Sequence, residues 1–197
     1  MMTLETRIDL VGNSMRTIAQ RLSERGFQFD RPAAILPGPE PGARKAIARI
    51  ESEIGAVPRA LRLFWLEVGS VDFSGSHPEW GGCDYPDALV VYPPSLAIEE
   101  LEEFLADQEE RLRCDLPYLV PIAPDFHHKA NVSGGMWYNV SVPAVADDPP
   151  LNDEWHGTTF VGYLELAVRW AGFPGLSRCP AHSWPVAELV GDPITGS

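Results

Sequence analysis

Two short amphipathic helices, separated by Gly55 and Pro58, are the part of the sequence that most restricts the fold. Apolar residues follow helical spacing from Ala43 to Ile54, which predicts a helix that ends at Gly55 in a left-handed C-terminal cap. Pro58 suits the first turn of a second helix, closed by Gly69, because its missing N–H would have no partner there. Since only about three residues join the helices, they must fold back on one another or cross tightly.

The N-terminal segment predicts a helical extension over residues 1–30, followed by a proline-rich linker over residues 31–42. Four prolines and two glycines follow Asp30 within that linker, which is typical of a connection without regular structure. The extension carries one apolar stripe at alternating spacings of four and three: Leu4, Ile8, Val11, Met15, Ile18 and Leu22. Such a stripe packs either on the domain or on a second copy of the chain, so a homodimer through this helix is one prediction.

Beyond Gly69 the pattern changes to short strands mixed with helices. Strands are predicted at Val71–Phe73, Ala88–Tyr92 and Tyr118–Ala123, and a β-hairpin at Lys129–Val132 and Met136–Val142. Helices are predicted from Ser95 to about Arg113 and from near Thr159 to Gly172. Helices followed by mixed strands and helices, with at least one hairpin, indicate one α+β or mixed α/β domain over residues 43–197.

The charge of the chain is strongly acidic and uneven along its length. The sequence has 28 acidic and 15 basic residues, which gives a formal charge of −13. Residues 1–65 hold 10 of the basic and 7 of the acidic residues, so the negative excess follows residue 65. A negative field repels phosphate backbones and attracts cationic surfaces, which disfavours direct nucleic-acid binding and favours a basic protein partner. The alternative is that acidic surface mainly supplies solubility.

The sequence contains no candidate for a membrane span or a secretory signal. Its longest apolar stretches, around Ala88–Tyr92 and Tyr118–Ala123, fall far short of the ~20 residues that a span requires. The N-terminus has no basic segment followed by an apolar one. The three cysteines, Cys83, Cys114 and Cys179, follow no disulfide or zinc spacing and suit a reducing compartment. We therefore expect a cytoplasmic protein that does not bind membranes.

Catalytic motifs are absent from the sequence, and the histidines offer the main alternative to a binding function. No nucleophile elbow, phosphate-binding loop or HExxH spacing is present, and the paired carboxylates are typical of a solvated surface. We therefore expect no enzyme activity, no cofactor and no bound metal. The alternative is a metal-dependent hydrolase, formed if the loops that carry four residues converge: Asp125, His127, His128 and His156.

Aromatic residues in loops are the most unusual feature of the second half of the chain. Many lie beside Gly, Pro or acidic residues rather than in a helical stripe. Trp and Tyr in such positions anchor an interface, plug the domain's own core or line a small-ligand pocket. If they anchor an interface, the acidic residues around them define the predicted partner-binding face: Trp80, Asp84, Tyr85, Asp87, Asp147, Asp148, Asp153 and Trp155.

Residues 47–69 resemble the helix–Gly–Pro–helix motif of the SUKH superfamily, which includes bacterial immunity proteins and a fungal cell-wall assembly regulator. The motif residues in this sequence are Glu51, Gly55, Pro58, Leu61, Phe64 and Gly69. Three later segments are similar to the family in the same order: Ala88–Tyr92, Tyr118–Asp125 and Thr158–Leu164. The resemblance covers about residues 43–172, and segments near Trp80, 129–135 and 169–175 look like those of an uncharacterised bacterial branch.

The resemblance implies a single α+β domain in which helices surround a mixed, mainly antiparallel sheet. It also implies no catalytic machinery, since many members bind and neutralise toxin domains and others act as scaffolds. We therefore expect a non-catalytic protein-binding module, either a toxin-neutralising immunity protein or a regulatory scaffold, whose partner is a basic protein such as a toxin domain. Glu51 takes the place of the family's glutamate. It either belongs to a binding pocket or has a structural role, bonding to N–H groups of the next loop or pairing with Arg62.

Overall fold

The computed structural model describes residues 2–104, 116–179 and 182–191. The helices are α1 (Leu4–Glu24), α2 (Ala43–Ile54), α3 (Arg59–Glu67), α4 (Pro94–Phe104), α5 (Phe126–Lys129), α6 (Phe160–Arg169) and α7 (Val186–Val190). The strands are β1 (Gln28–Phe29), β2 (Val71–Asp72), β3 (Gly75–Ser76), β4 (Val90–Val91), β5 (Tyr118–Ala123) and β6 (Tyr138–Val142). Short 3-10 helices span Pro32–Ala34 and Pro174–Arg178.

The strands of the described residues pair two by two, and every pair is antiparallel: β1 with β3, β2 with β4, and β5 with β6. The longest pair aligns Val120 with Val140, and both side chains are buried in the core. Helices and strand pairs contribute to one hydrophobic cluster. This confirms the predicted α+β single domain, with short separate ladders in place of one sheet.

Helix α1 belongs to this hydrophobic core. Its first turn is capped by Thr3, whose hydroxyl accepts a hydrogen bond from the backbone N–H of Thr6. Its apolar stripe packs against α3, α6 and α7, and Ile8, Met15 and Leu22 are fully buried. The stripe therefore packs on its own domain, the first of the two predicted alternatives. The homodimer predicted through this helix loses its contact surface, because the same side chains cannot face a second copy.

The two central helices meet through the predicted Gly–Pro step. Gly55 is the C-terminal cap of α2 at φ +105°, and α3 begins one residue after Pro58. Leu61 and Phe64 are fully buried, and the Phe64 ring meets the Phe160 ring edge-on at 5.6 Å. The motif residues on α3 therefore join this helix to α6 inside the core.

The β-hairpin predicted over residues 129–142 is wrong in its first strand. Lys129 ends α5, whose start Asp125 caps by accepting a hydrogen bond from the backbone N–H of His128, and residues 130–131 form a turn in place of the strand. Strand β6 begins at Tyr138 and pairs with β5. The cap residue was the local signal that distinguished a helical turn from a strand at this point.

Helix α4 begins at Pro94, one residue before the predicted cap, and is described as far as Phe104. The Glu40 carboxylate holds this start by accepting hydrogen bonds from the backbone N–H and the hydroxyl of Ser95, at 2.9 and 2.6 Å. The remainder of the predicted helix, to about Arg113, lies outside the described residues. Of the helices that the structure describes, none combines the length and the apolar character needed to cross a membrane.

A disulfide joins Cys83 to Cys179, whose Cα atoms are 5.6 Å apart at a sequence separation of 96. The expectation that the cysteines stay unpaired is therefore wrong, since the fold brings two distant segments within bonding reach. The bond fastens the glycine-rich loop after β3 to the end of the second 3-10 helix. The cysteine pattern consequently no longer argues for a reducing compartment.

Gly69→Ala should destabilise the protein far more than Gly42→Ala. The two glycines have nearly the same φ, +95° and +94°, so each substitution carries a similar backbone strain of about 1 kcal/mol. A Cβ at Gly69 would lie 2.0 Å from the carbonyl oxygen of Gly38, whereas a Cβ at Gly42 meets nothing within 4 Å. We expect the free energy of unfolding, measured in urea, to fall by at least about 2 kcal/mol more for Gly69→Ala. Equal losses would contradict the close approach of the proline-rich segment to the end of α3.

Candidate functional site

A buried ion pair between Asp87 and Lys129 is the centre of a polar cluster inside the domain. Lys129 Nζ lies 2.7 Å from Asp87 Oδ1, and the exposed fractions of the two side chains are 2% and 0%. Asp87 precedes β4 and has a left-handed backbone with φ +52°, whereas Lys129 ends α5. Removing a charge from water costs several kcal/mol unless the charge is paired. The ion pair therefore fastens the loop before β4 to α5.

Two tyrosines enclose the ion pair. The Tyr163 hydroxyl accepts a hydrogen bond from Lys129 at 3.1 Å and donates one to Asp87 at 3.4 Å, which closes a three-residue network. The ammonium also lies 4.5 Å from the centre of the Tyr138 ring, in a cation–π contact. Burial, followed by the charge of Asp87, raises the pKa of both tyrosines, so both hydroxyls keep their protons. Among the described residues, no hydrogen-bond partner faces the Tyr138 hydroxyl.

A second set of polar contacts adjoins the ion pair through Glu154 and His156. The Glu154 carboxylate accepts hydrogen bonds from the backbone N–H and ring Nδ1 of His156, and from the backbone N–H and hydroxyl of Thr158. Burial alone would raise the pKa of Glu154, but these hydrogen bonds outweigh it and lower the pKa. On the other side of the imidazole, His156 Nε2 lies 2.9 Å from Ser177 Oγ. An ionised carboxylate thus holds His156 against a serine hydroxyl.

The cluster does not favour a metal ion. Among the described residues, Asp87, Glu154 and His156 place ligand atoms within 4.8 Å of one another. The positive charge that a metal would bring is already supplied there, because the Lys129 ammonium contacts Asp87 and the imidazole bonds to Glu154. A metal ion would have to displace both contacts before it could bind.

The four residues predicted for a metal-dependent hydrolase make separate contacts. Asp125 Oδ2 lies 3.0 Å from His128 Nδ1 on the same short helix. His127 packs against Phe126, with ring centres 4.1 Å apart. His156 is held in the cluster described above. Of the four, Asp125 and His128 contact each other, whereas His127 and His156 face other partners, so the expected ligand set is not assembled.

The aromatic residues of the predicted partner-binding face fall into two groups, of which the first surrounds Phe126. The Phe126 ring stacks on the Trp155 ring at 4.3 Å and meets the Tyr85 ring edge-on at 5.5 Å. His127 completes the group, with its ring centre 5.2 Å from that of Tyr85. We call these four residues the aromatic patch. All four are half-buried, so each ring presents part of its surface to solvent.

The second aromatic group surrounds Trp80 and includes residues from the N-terminal and C-terminal segments of the chain. The Trp80 ring stacks on His77 at 4.2 Å and contacts Trp184 at 5.2 Å and Phe27 at 5.8 Å. These contacts connect the loop after β3 to the residues before α7 and to the end of α1. Trp80 therefore plugs the domain itself, and its ring contacts are to other residues than those of the aromatic patch.

Two acidic residues of the predicted partner-binding face serve the fold instead. Asp87 is buried in the ion pair described above and cannot contact a partner. Asp148 lies close in space to the N-terminus of α6, where its Oδ1 accepts a hydrogen bond from the backbone N–H of Val161 at 3.0 Å. A carboxylate at a helix N-terminus satisfies a free N–H group and stabilises the helix dipole. The prediction of a binding role for these two residues is therefore corrected to a structural one.

The other three acidic residues are exposed, in different surroundings. Asp147 pairs with Arg59 at 3.3 Å on the helical side of the domain. Asp153 accepts a hydrogen bond from Asn139 Nδ2 at 2.8 Å and precedes Trp155 by two positions. Asp84 is exposed next to Tyr85. Two of the predicted acids therefore flank the aromatic patch in sequence.

The glutamate of the resemblance makes a surface ion pair. Arg62 Nη1 lies 3.0 and 3.2 Å from the two carboxylate oxygens of Glu51. Both side chains are partly exposed, and the contact joins α2 to α3. Of the alternatives for Glu51, this geometry matches the pairing with Arg62.

Five members of the cluster are absent from the sequence prediction: Lys129, Tyr138, Glu154, Tyr163 and Ser177. The available signal was Tyr163, which lies on the apolar side of the predicted final helix. A tyrosine buried there needs a polar partner for its hydroxyl. The partners come from segments far away in sequence, so the signal indicates that a buried polar site exists without saying which residues complete it.

An apolar groove of about 690 Å³ lies apart from the cluster, between residues 31–42 and strands β2 and β4. Its walls are mainly proline and aliphatic residues. Arg31 and Asp72, two of its charged residues, form an ion pair with each other. The groove therefore offers mainly apolar contact, since two of its charged side chains neutralise each other.

No protein-family model matches this chain, and no curated protein or solved structure matches it either. The similarity of residues 43–172 to SUKH proteins consequently stays a resemblance carried by the quoted residues. A function for the chain has to be inferred from contacts, burial and charge.

Lys129→Met should strongly destabilise the protein, because it leaves Asp87 buried without a counter-charge. We expect the free energy of unfolding to fall by about 3–5 kcal/mol, measured by urea denaturation followed by circular dichroism. Arg62→Met removes an exposed pair and is the matched control, with an expected loss of up to about 1 kcal/mol. Adding Asp87→Asn to Lys129→Met should restore much of the stability, since Asn tolerates the left-handed backbone without a charge. No recovery in the double variant would contradict a charge-based role.

Glu154→Gln should destabilise the protein most near neutral pH, and the difference from wild type should shrink on acidification. The folded-state pKa of Glu154 lies below its ordinary value, so its stabilising effect is complete above the pKa of an unfolded glutamate. That effect is lost as the pH falls through the lower folded-state pKa. Urea midpoints of both proteins over a series of pH values test this, with the exposed Glu79→Gln as a control. A difference that stays constant with pH would contradict an ionised, hydrogen-bonded Glu154.

Proposed function

We propose that this chain is a protein-binding module of SUKH-like organisation that recognises a basic protein. A toxin domain is the partner that the resemblance suggests, and a regulatory scaffold is the other role it suggests. The binding function needs no bond-making chemistry and depends on the charge and shape of the exterior. The proposal rests on one observation: two exposed carboxylates without an ion-pair partner among the described residues, Asp84 and Asp153, flank the aromatic patch in sequence.

The aromatic patch has the features of an interface anchor. Its rings are half-buried, so they are held in place by the domain yet keep surface for a partner. The Trp155 ring stacks on the Phe126 ring and also contacts the Arg178 guanidinium. The central carbon of that guanidinium lies 5.1 Å from the centre of the Trp155 ring. A partner that packs on the exposed part of these rings would bury further aromatic area.

Charge favours a basic partner at the aromatic patch. Asp84 and Asp153 are exposed beside the patch, and no ion pair to either is found in the described part of the chain. Many of the basic side chains are instead neutralised by acidic residues of the same domain: Arg7, Arg25, Arg31, Arg49, Arg59 and Arg62. The free charge of the surface is therefore negative, and it would steer a cationic partner towards the molecule.

Association with a basic partner should weaken when salt is raised and when the flanking carboxylates are removed. The probe is a small globular protein with a strongly positive net charge; its affinity for the full chain is measured by calorimetry and its association rate by stopped-flow fluorescence, each at low and at high salt. The double variant Asp84→Asn/Asp153→Asn should lower the association rate roughly tenfold at low salt, since exposed charges act over a Debye length of about 8 Å at physiological ionic strength. Asp147→Asn is the matched control, because this exposed carboxylate is already paired with Arg59.

Two outcomes would contradict the proposed binding function. An affinity that does not change with salt would exclude steering by the acidic surface. An equal loss in Asp147→Asn and in the double variant would exclude the aromatic patch as the contact point. Substitution of Trp155 by Ala then distinguishes a patch that binds through aromatic area from one that does not bind.

A further inference from the structure

The hydrogen-bonded series Ser177–His156–Glu154 is a feature that binding to a protein does not explain. His156 contacts Ser177 Oγ through Nε2 at 2.9 Å and contacts Glu154 Oε1 through Nδ1. The three side chains therefore stand in the order hydroxyl, imidazole, carboxylate. A nucleophile within hydrogen-bond reach of a base, with the base held by a third group, is the arrangement that activates a serine for covalent chemistry.

The proton positions follow from the carboxylate. Glu154 is ionised and accepts only, so the nitrogen of His156 that faces it, Nδ1, must carry a proton. In the neutral imidazole the other nitrogen, Nε2, then has a free lone pair. The Ser177 hydroxyl faces that lone pair and donates a hydrogen bond to it. This tautomer is the one that a general base needs.

The backbone around Ser177 is held in place. Gly175, two residues earlier, donates its backbone N–H to the carbonyl oxygen of Pro86 at 2.9 Å. A Cβ at Gly175 would lie 2.2 Å from the carbonyl oxygen of Tyr85, so the two segments are in close contact. Cys179, two residues later, is bonded to Cys83. The 3-10 helix that carries Ser177 is therefore fastened on both sides to the segment that leads into Asp87.

The imidazole is held equally firmly. Its side chain is only 8% exposed, and Glu154 is itself fixed by the backbone N–H and hydroxyl of Thr158. Ser177 is half-buried, whereas the Glu154 side chain at the other end of the series is fully buried. Arg178, the residue after Ser177, donates a hydrogen bond to the carbonyl oxygen of Trp155 and places a positive charge beside the Trp155 ring.

We propose that Ser177 is a nucleophile for acyl transfer, with His156 as its general base and Glu154 as a positioning residue, acting on carboxylic esters. This activity goes beyond the proposed binding function and replaces the expectation that the chain contains no catalytic residue. Further charged groups near the series are Asp87 and its partner Lys129, which neutralise each other, and the Arg178 guanidinium beside Trp155.

The reaction balances without a cofactor. The Ser177 oxygen attacks the carbonyl carbon of the ester while its proton passes to His156 Nε2. The imidazolium returns this proton to the departing alkoxide, which leaves as an alcohol, and the serine is left acylated. Water then attacks the acyl group, gives its proton to His156, and releases a carboxylic acid as Ser177 regains its hydrogen.

A fluorophosphonate reagent tests the nucleophile on the full chain with its disulfide intact. The expected result is a single phosphonyl adduct per chain, seen by intact mass and located at Ser177 by peptide mapping. Ser177→Ala should abolish the adduct, whereas Ser133→Ala, which removes an exposed serine of the loop between α5 and β6, should label like wild type. No adduct in the wild-type protein, or an unchanged adduct in Ser177→Ala, would overturn the proposal. This readout needs no protein partner, so it is independent of the binding function.

Two further variants separate the base from its positioning residue. His156→Gln should slow labelling, and release of p-nitrophenol from p-nitrophenyl acetate, by at least about 100-fold. Glu154→Gln should lower kcat and leave KM close to the wild-type value, and Glu154→Asp should restore part of kcat, because its carboxylate can again accept a hydrogen bond from the imidazole. A purely structural Glu154 would lower the fraction of protein that is labelled without changing kcat per labelled site. If His156→Gln does not fold, the dependence of the wild-type rate on pH decides, and a pH-independent rate contradicts a general base.

Discussion

The ion pair between Asp87 and Lys129 is the contact on which the organisation of the second half of the molecule depends. Each charge would be prohibitively costly in the core without the other, so the loop before β4 and the end of α5 must meet. Tyr163 then links the pair to α6, and the adjoining Glu154 brings the loop before α6 into the same place. A small set of polar contacts thus determines how four separate segments are arranged.

The helices could be predicted well because amphipathic periodicity and end signals are local. The spacing in α2 and α3, with Gly55 and Gly69 at their ends, needs no knowledge of the partner surface. The stripe of α1 shows the limit of this reasoning, since a buried face does not reveal what buries it. The mistaken hairpin has another cause: Asp125 competes for the backbone through a cap, and that single contact outweighed the pattern of the following residues.

The candidate site was harder to predict because its chemistry depends on long-range pairing. Asp84 and Asp87 look alike in sequence, yet one is exposed and the other is buried against a lysine 42 positions away. His156 was identified as a residue of interest with the wrong companions, since its partners are a glutamate two positions earlier and a serine 21 positions later. Residue type suggests that a side chain can take part in chemistry, and only the fold decides which neighbours it has.

The disulfide between Cys83 and Cys179 gives the molecule a covalent ring. Every residue of the buried polar cluster, from Asp87 to Ser177, lies within this ring, whereas α1, α2 and α3 lie on the open arm before it. In the unfolded chain the ring limits how far the cluster residues can separate, which favours their reassembly. Backbone cleavage in the proline-rich segment would therefore break the covalent connection to α1 alone, while the closed loop would keep all of its polar groups in one molecule.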